Sequence, residues 1–372
     1  MHHILSILFV FIIVSVAGDV GDLCRPNDKV SDGVCKLVTE CFEAISAIQR
    51  RESHSFQRCG FSGLTEIVCC PSDRYTLIHK VTQKPVQTST ILTEEKFGAS
   101  DKNNLRISDI ECQKIVDSSL PPLGLHIIGG ETASNGEFPH MAALGYDTVE
   151  GVKFQCGGSL ISDQYILTAA HCVETLDDVK PSIVRLGVVD IGENSYNPDT
   201  DVNVSKIIVH PQYERKIKYN DIALLRLERR VSLSSNLNPV CLYTRDNDPK
   251  VPLTITGWGK TSTSRDTNSA QLLKANVTVV EASKCSALYG SWRRLPAGIA
   301  RTQICAGDDQ GRYDTCQGDS GGPLQALTSE DGQYRLIGVT SFGRGCASTV
   351  PGVYTRVASY LDWIEGIVWP QH

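Results

Sequence analysis

Cysteine placement constrains this chain more than any other feature. Fourteen cysteines occur among 372 residues. Six lie early, at Cys24, Cys35, Cys41, Cys59, Cys69 and Cys70; seven lie late, at Cys156, Cys172, Cys241, Cys285, Cys305, Cys316 and Cys346; Cys112 stands alone between them. Such usage fits an oxidising, extracellular destination. The early group falls in a stretch of about fifty residues, too short to bury a self-sufficient core, so disulfides must hold it. Cys69 and Cys70 are adjacent, with Cα atoms about 3.8 Å apart, closer than the usual disulfide range, so they must bond to different partners. The residues alone do not choose among the pairings that remain. The late group is odd in number, so one member pairs outside it or stays free, and Cys112 is the obvious partner.

The bulk properties narrow the classes. The formal net charge is −6 and no block of basic residues occurs, which argues against a nucleic-acid partner. Residues 4–17 form one apolar run ending in Val16-Ala17-Gly18. It is short for a bilayer span and reads as a secretory signal over residues 1–18. Further along, no run is long enough to span, so no membrane association of the mature chain is expected. Residues 19–71 form the cysteine-dense unit. Residues 72–126, rich in Ser, Thr, Lys and Gln, read as a mobile linker and activation segment, with a short helix over 109–117 presenting Cys112. Residues 127–372 carry many β-rich runs bounded by turn residues, among them 202–209 and 333–340. Val357, Leu361, Ile364 and Val368 recur at helical spacing and predict a terminal helix whose stripe packs on the core.

Four short motifs carry chemistry. Cys316-Gln317-Gly318-Asp319-Ser320-Gly321-Gly322-Pro323 sets a serine between an acid and two glycines. Glycines there let backbone N–H groups approach a developing negative charge. Thr168-Ala169-Ala170-His171-Cys172 and Asn220-Asp221-Ile222-Ala223-Leu224-Leu225 precede it, in the order His, Asp, Ser, and Ile127-Ile128-Gly129-Gly130 stands before all three. A serine hydroxyl is a poor nucleophile at neutral pH and needs a base, which in turn needs an orienting acid. The combination resembles the trypsin/chymotrypsin family of serine proteases over residues 127–372. The early unit, ending in Ile67-Val68-Cys69-Cys70-Pro71, resembles the clip domain of arthropod serine proteases.

These resemblances imply a mostly β fold: two antiparallel six-stranded β-barrels and a C-terminal helix, behind a small disulfide-rich clip domain and a flexible linker. They imply the pairs Cys24–Cys69, Cys35–Cys59, Cys41–Cys70, Cys112–Cys241, Cys156–Cys172, Cys285–Cys305 and Cys316–Cys346. They make His171 the base, Asp221 its orienting acid and Ser320 the nucleophile, with the N–H groups of Gly318 and Ser320 as the oxyanion hole and Ser341 behind Asp221. Asp314, six residues before Ser320, falls at the base of the primary pocket and implies cleavage after Arg or Lys. Gly343 and Gly352 form the pocket walls. Phe342 stands where the family usually has Trp.

Activation is implied by cleavage of His126-Ile127, after which the new amine of Ile127 pairs with Asp319. His126 departs from family members cut after Arg or Lys, so an Asp-based pocket would not cut its own activation bond efficiently. The expectation is a secreted endopeptidase zymogen in an extracellular, haemolymph-like proteolytic cascade of the immune or developmental type, similar to the Snake and Persephone group. Its partners would be an upstream protease preferring His or apolar residues, a downstream zymogen cut after Arg or Lys, and serpin inhibitors. The alternative is a catalytically silent clip-domain homologue acting as an adaptor or cofactor. No cofactor is expected. Asn203 and Asn276 begin glycosylation sequons. Asp190, Glu193, Asp199 and Asp201 are oxygen ligands in the right region for calcium, but Val188 replaces an acid of calcium-binding family members, so no metal site is assigned.

Overall fold

The computed structural model describes residues 21–25, 32–38, 41, 44–45, 56–62, 65–71, 105–118, 131–192, 196–259, 268–290, 292–308, 319–328, 331–344 and 349–370. The signal over 1–18, most of the linker, His126, Ile127, Glu193, Asp314, Cys316, Gly318 and Cys346 lie outside them. The chain divides into two compact units, Met1–Glu95 and Lys96–His372.

The first unit holds a four-stranded sheet of β1 (Leu23–Cys24), β2 (Gly33–Leu37), β3 (Arg58–Ser62) and β4 (Thr65–Pro71), in the order β1-β2-β4-β3. Cys69 and Cys70 are consecutive on β4, and successive side chains on a strand point to opposite faces. Cys69 bonds Cys24 and Cys70 bonds Cys41, while Cys35 bonds Cys59. The apolar core is correspondingly small: Cys41, Ala44, Val68 and Cys70 are its buried members. Covalent staples therefore supply what burial cannot.

The second unit begins with helix α1 (Ile107–Ser118). Composition assigned this stretch to the linker, yet the helix is fastened at three points. Cys112 is bonded to Cys241. Arg106 Nε and Ser108 Oγ donate to Glu365 Oε1 at 3.0 and 2.6 Å. Thr244 Oγ1 donates to Asp109 Oδ1 at 2.9 Å. Polar anchors and one disulfide dock it, which is why no apolar stripe announces it.

Two barrels follow. β6 (Met141–Thr148), β7 (Gly151–Ser162), β8 (Tyr165–Thr168), β9 (Pro181–Leu186), β10 (Asp201–Val209) and β11 (Ala223–Leu227) close in the order β10-β11-β8-β7-β6-β9. Its interior is filled by Leu144, Leu160, Val184 and Leu225 among others. The second barrel is formed by β13 (Leu253–Gly257), β14 (Leu273–Val280), β15 (Gln303–Gly307), β16 (Pro323–Leu327), β17 (Tyr334–Phe342) and β18 (Gly352–Arg356), closed by the β17–β18 pairing. Leu253, Ile255, Leu324 and Tyr354 pack inside it. The short strands β5 (Glu131–Thr132) and β12 (Cys241–Leu242) add to β14 and β17, and α2 (Ala282–Tyr289) precedes β15. A 3₁₀ turn over Val357–Tyr360 leads into α3 (Leu361–Val368). Val357, Leu361, Ile364 and Val368 are buried in a core shared with Met141, Leu167, Leu224, Trp258 and Val339. That core joins residues of both barrels. No helix among the described residues is long and apolar enough to cross a membrane.

Candidate active site

The site forms where the two barrels hold each other's loops. β8 and β11 are antiparallel neighbours with Thr168 opposite Ala223. The chain leaving β8 turns through a 3₁₀ segment, Ala170–Cys172, that carries His171. Asp221 lies two residues before β11, so the register of these strands brings the two side chains together. Asn220 has a φ of 52°, the left-handed region that asparagine tolerates better than most residues. Its amide donates to Gln212 O and its carbonyl oxygen accepts from Tyr360 Oη, both at 2.9 Å. This anchored bend turns Asp221 inward.

Asp221 Oδ2 lies 2.8 Å from His171 Nδ1, and Oδ1 accepts the His171 backbone N–H at 2.9 Å. Ser341 on β17 donates its hydroxyl to Oδ2, and Thr355 on β18 donates to the Asp221 carbonyl at 2.8 Å. The Asp221 side chain is 1% exposed and that of His171 24%. Burial works to raise the pKa of the Asp221 carboxyl, but the charge of His171 and the donors from His171 and Ser341 outweigh it, and the net direction is down. The buried group is thereby kept as a carboxylate facing the imidazole.

Ser320 is held from the opposite direction. Its carbonyl accepts the N–H of Gly157, on β7, at 2.8 Å. Gly321 N–H donates to Thr340 O, and Thr340 N–H donates to Gly322 O, both at 2.9 Å. Gly321 has a φ of +78°, and a Cβ there would lie 2.2 Å from Thr168 Oγ1 and 2.5 Å from Gly157 O. Only glycine lets the turn carrying Ser320 seat against the strand end that leads to His171. The disulfide Cys156–Cys172 ties the His171 turn back to β7, and Tyr146 Oη donates to Cys172 O at 2.8 Å.

Asp319, beside the serine, accepts the Gly259 N–H at 2.8 Å through Oδ1. Gly257 and Gly259 make room for it, since a Cβ at either would come within 2.1 to 2.5 Å of a carboxylate oxygen. Gly343 is exposed at the end of β17, and Gly352 is buried at the start of β18, opposite Ala306. Asp314 and Gly318, expected at the pocket floor and in the oxyanion hole, lie outside the described residues. Phe342 packs edge-on against Tyr289 at 5.6 Å and against Trp292 at 5.5 Å. The second-barrel pair Cys285–Cys305 lies beneath this group. The sequence reading passed over Gly157, Thr340 and Thr355. They act through backbone groups or across barrels, and no local pattern marks them.

The other site residues lie apart. Asn203 is exposed on β10, its amide donating to Glu228 at 2.9 Å; Asn276 is half-buried on β14 and accepts from Thr254 Oγ1 at 3.3 Å. Asp201 is buried, and Arg185 Nε and Nη2 donate to its two oxygens at 2.7 and 2.8 Å. Asp190 accepts from Gly192 N and Gln271 Nε2, and Asp199 is exposed. Among the described residues, Asp190, Asp199 and Asp201 do not converge as a set of oxygen ligands would.

The family model described as Trypsin matches residues 127–364. The chain is 44% identical over 274 residues to Serine protease Hayan of Drosophila melanogaster, covering 72% of this chain and 42% of that protein. It is 36% identical over 360 residues to Serine protease snk of the same organism, covering 95% and 80%. With CLIP domain-containing serine protease B4 of Anopheles gambiae it shares 38% identity over 314 residues, covering 77% and 85%. The His171–Asp221 pair with its buried carboxylate, the serine turn seated against the strand end that leads to His171, the two closed barrels and these matches have one common source: the chain belongs to the trypsin family of serine endopeptidases, among the clip-domain proteases of arthropods.

Proposed function

We propose that this chain is a secreted zymogen activated by cleavage of His126-Ile127, and that the mature enzyme hydrolyses peptide bonds after Arg or Lys in a downstream zymogen of an extracellular cascade. The observation that carries the reading is the Asp221 carboxylate, buried and gripped by His171 from the first barrel and Ser341 from the second. In this role His171 Nε2 takes the proton of Ser320 Oγ as that oxygen attacks the scissile carbonyl. The imidazolium, stabilised by Asp221, then returns the proton to the leaving amine, and water repeats the cycle on the acyl-enzyme. The N–H groups of Gly318 and Ser320 hold the oxyanion.

Specificity rests on Asp314 as the counter-charge for a substrate cation, with Gly343 and Gly352 leaving the walls open. Activation rests on the Ile127 amine pairing with Asp319, whose carboxylate lies in the glycine-lined niche beside Ser320. An activator preferring His or apolar residues would act upstream, and serpins would be the matching inhibitors. The triad residues His171, Asp221 and Ser320 are all present, so the adaptor reading gains no support. The test is a fluorophosphonate probe applied to protein cut after His126. Covalent capture of wild type but not of Ser320→Ala, with arginine and lysine preferred before the cleaved bond in a peptide library, is the expected result. No capture, or a preference for Phe and Leu, overturns the reading.

A further inference from the structure

Two surface loops beside the active site are stitched into one rigid platform. Lys218 N–H donates to Arg294 O at 2.9 Å, Arg294 Nη2 to Arg215 O at 3.0 Å, and Gln303 Nε2 to Lys218 O at 2.6 Å. Tyr219 joins the same loops, donating to Gly298 O at 2.8 Å and accepting the Ala297 N–H at 3.0 Å. The platform carries Arg215, Lys216, Lys218, Arg293 and Arg294, and Arg344 adjoins it through Tyr289 O at 2.8 Å.

These cations are placed against aromatic faces. The Lys218 ammonium lies 5.5 Å from the centre of the Phe342 ring, the Arg294 guanidinium 6.0 Å from that of Trp292, and the Arg344 guanidinium 5.3 Å from that of Tyr289. Phe342 directly follows Ser341, the residue bonded to Asp221, and Lys218 precedes Asp221 by three positions. Burial lowers the Lys218 pKa, opposed by the charge of Asp221; a half-desolvated ammonium gains more from a carboxylate partner than a hydrated one.

What sets the face apart is that six cations gather on it without an ion-pair partner among the described residues. Glu214 is the one acid in the 212–219 loop. Elsewhere on the same unit Arg230 pairs with Asp163, Lys153 with Glu150, Arg301 with Asp246 and Arg356 with Asp248. An unneutralised basic platform on a chain of net charge −6 is poised for an external anion.

We infer that this platform selects acidic side chains in the substrate segment that precedes the residue held in the primary pocket. The inference rests on the endopeptidase reading: Gly343 borders that pocket, and Phe342, one residue back along β17, carries Lys218 over its ring. The eight residues before the proposed activation bond, 119–126, contain no Asp or Glu, so the platform would give self-cleavage no help, independently of His126.

The test compares two fluorogenic peptides ending in arginine, one with two Asp and one with two Asn immediately before it. Enzymes are the cut wild type, a Lys218→Gln/Arg294→Gln double variant and a charge-retaining Lys218→Arg variant. The readout is the ratio of kcat/KM for the Asp over the Asn peptide within each enzyme, which cancels any general loss of turnover. Wild type should favour the Asp peptide about tenfold at low salt, with the ratio falling as salt rises. The double variant should bring the ratio near one, and Lys218→Arg should keep it. Equal rates on the two peptides by wild type, or an undiminished ratio in the double variant, overturns the inference. Failure of wild type to cleave a single-residue arginine amide would instead defeat the primary-specificity reading, and this inference with it.

Discussion

Ser341, on a strand of the second barrel, donates its hydroxyl to the carboxylate of Asp221, which belongs to the first. Gly157 of the first barrel returns the grip by holding the carbonyl of Ser320 from the second. Each barrel thus positions a reactive residue of the other, and the site exists only when both are closed.

Removing that hydroxyl should be felt in the rate. Ser341→Ala takes a donor from a buried charged group, a loss of about 1.5–3 kcal/mol, so kcat/KM should fall by roughly tenfold to a hundredfold. The Asp221 carboxyl would lose one of the interactions that hold its pKa down. The acid side of the pH–rate profile should therefore move to higher pH. A profile superimposable on wild type would show that Ser341 does not support the carboxylate.

The covalent link Cys112–Cys241 spans the proposed activation bond. Protein cut after His126 should migrate as one species without reductant and as two with it. Cys112→Ser should give two under both conditions in denaturing gels. Two species from cut wild type without reductant would mean the bond does not form.

His140 is fully buried, and burial lowers its pKa from 6.5 to about 4. It lies beside Phe138 and Tyr334, and the neighbouring Gln325 amide opposes the burial effect only in part. Between these two values the unfolded chain holds the proton and the folded chain does not. Stability therefore falls as pH drops from 6.5 toward 4, by up to about 3 kcal/mol from this residue. His140→Phe should show a shallower decline over that window when urea midpoints are compared with wild type. An equal slope would rule out this residue as the source.

Arg185 already supplies a cation to Asp201, both side chains being almost completely buried. Chelation with EDTA should accordingly leave the melting temperature unchanged, and added calcium should not raise it. Arg185→Met, which strands a buried carboxylate, should cost about 3–5 kcal/mol. A calcium-dependent rise in melting temperature would contradict the assignment.

The activation bond and the proposed pocket do not match. Concentrated wild type should remain uncut on its own, while His126→Arg should be processed rapidly by trace trypsin, with Ile127 as the new amino terminus. The amine must be protonated to pair with Asp319, so activity should decline at alkaline pH. Rapid self-cleavage of wild type at this bond would place the enzyme elsewhere than downstream of a different protease.

The strand runs, the terminal helical stripe, the His, Asp and Ser motifs and the separate bonding of Cys69 and Cys70 were legible because each is local. Strand period, helix period and the reach of a single Cα–Cα step act over a few residues, and chemistry-bearing motifs survive as short words. Helix α1 was half legible: its cysteine was visible, its docking was not, because Glu365 and Thr244 are far away in sequence. The same holds for Gly157, Thr340 and Thr355, whose bonds reach residues distant in sequence, and for Asp201, whose pairing with Arg185 no local pattern marks. Only the fold sets Lys218 and Arg294 against aromatic rings, with no ion pair to a carboxylate among the described residues, because which charges become neighbours is decided by strand register and loop packing rather than by order along the chain.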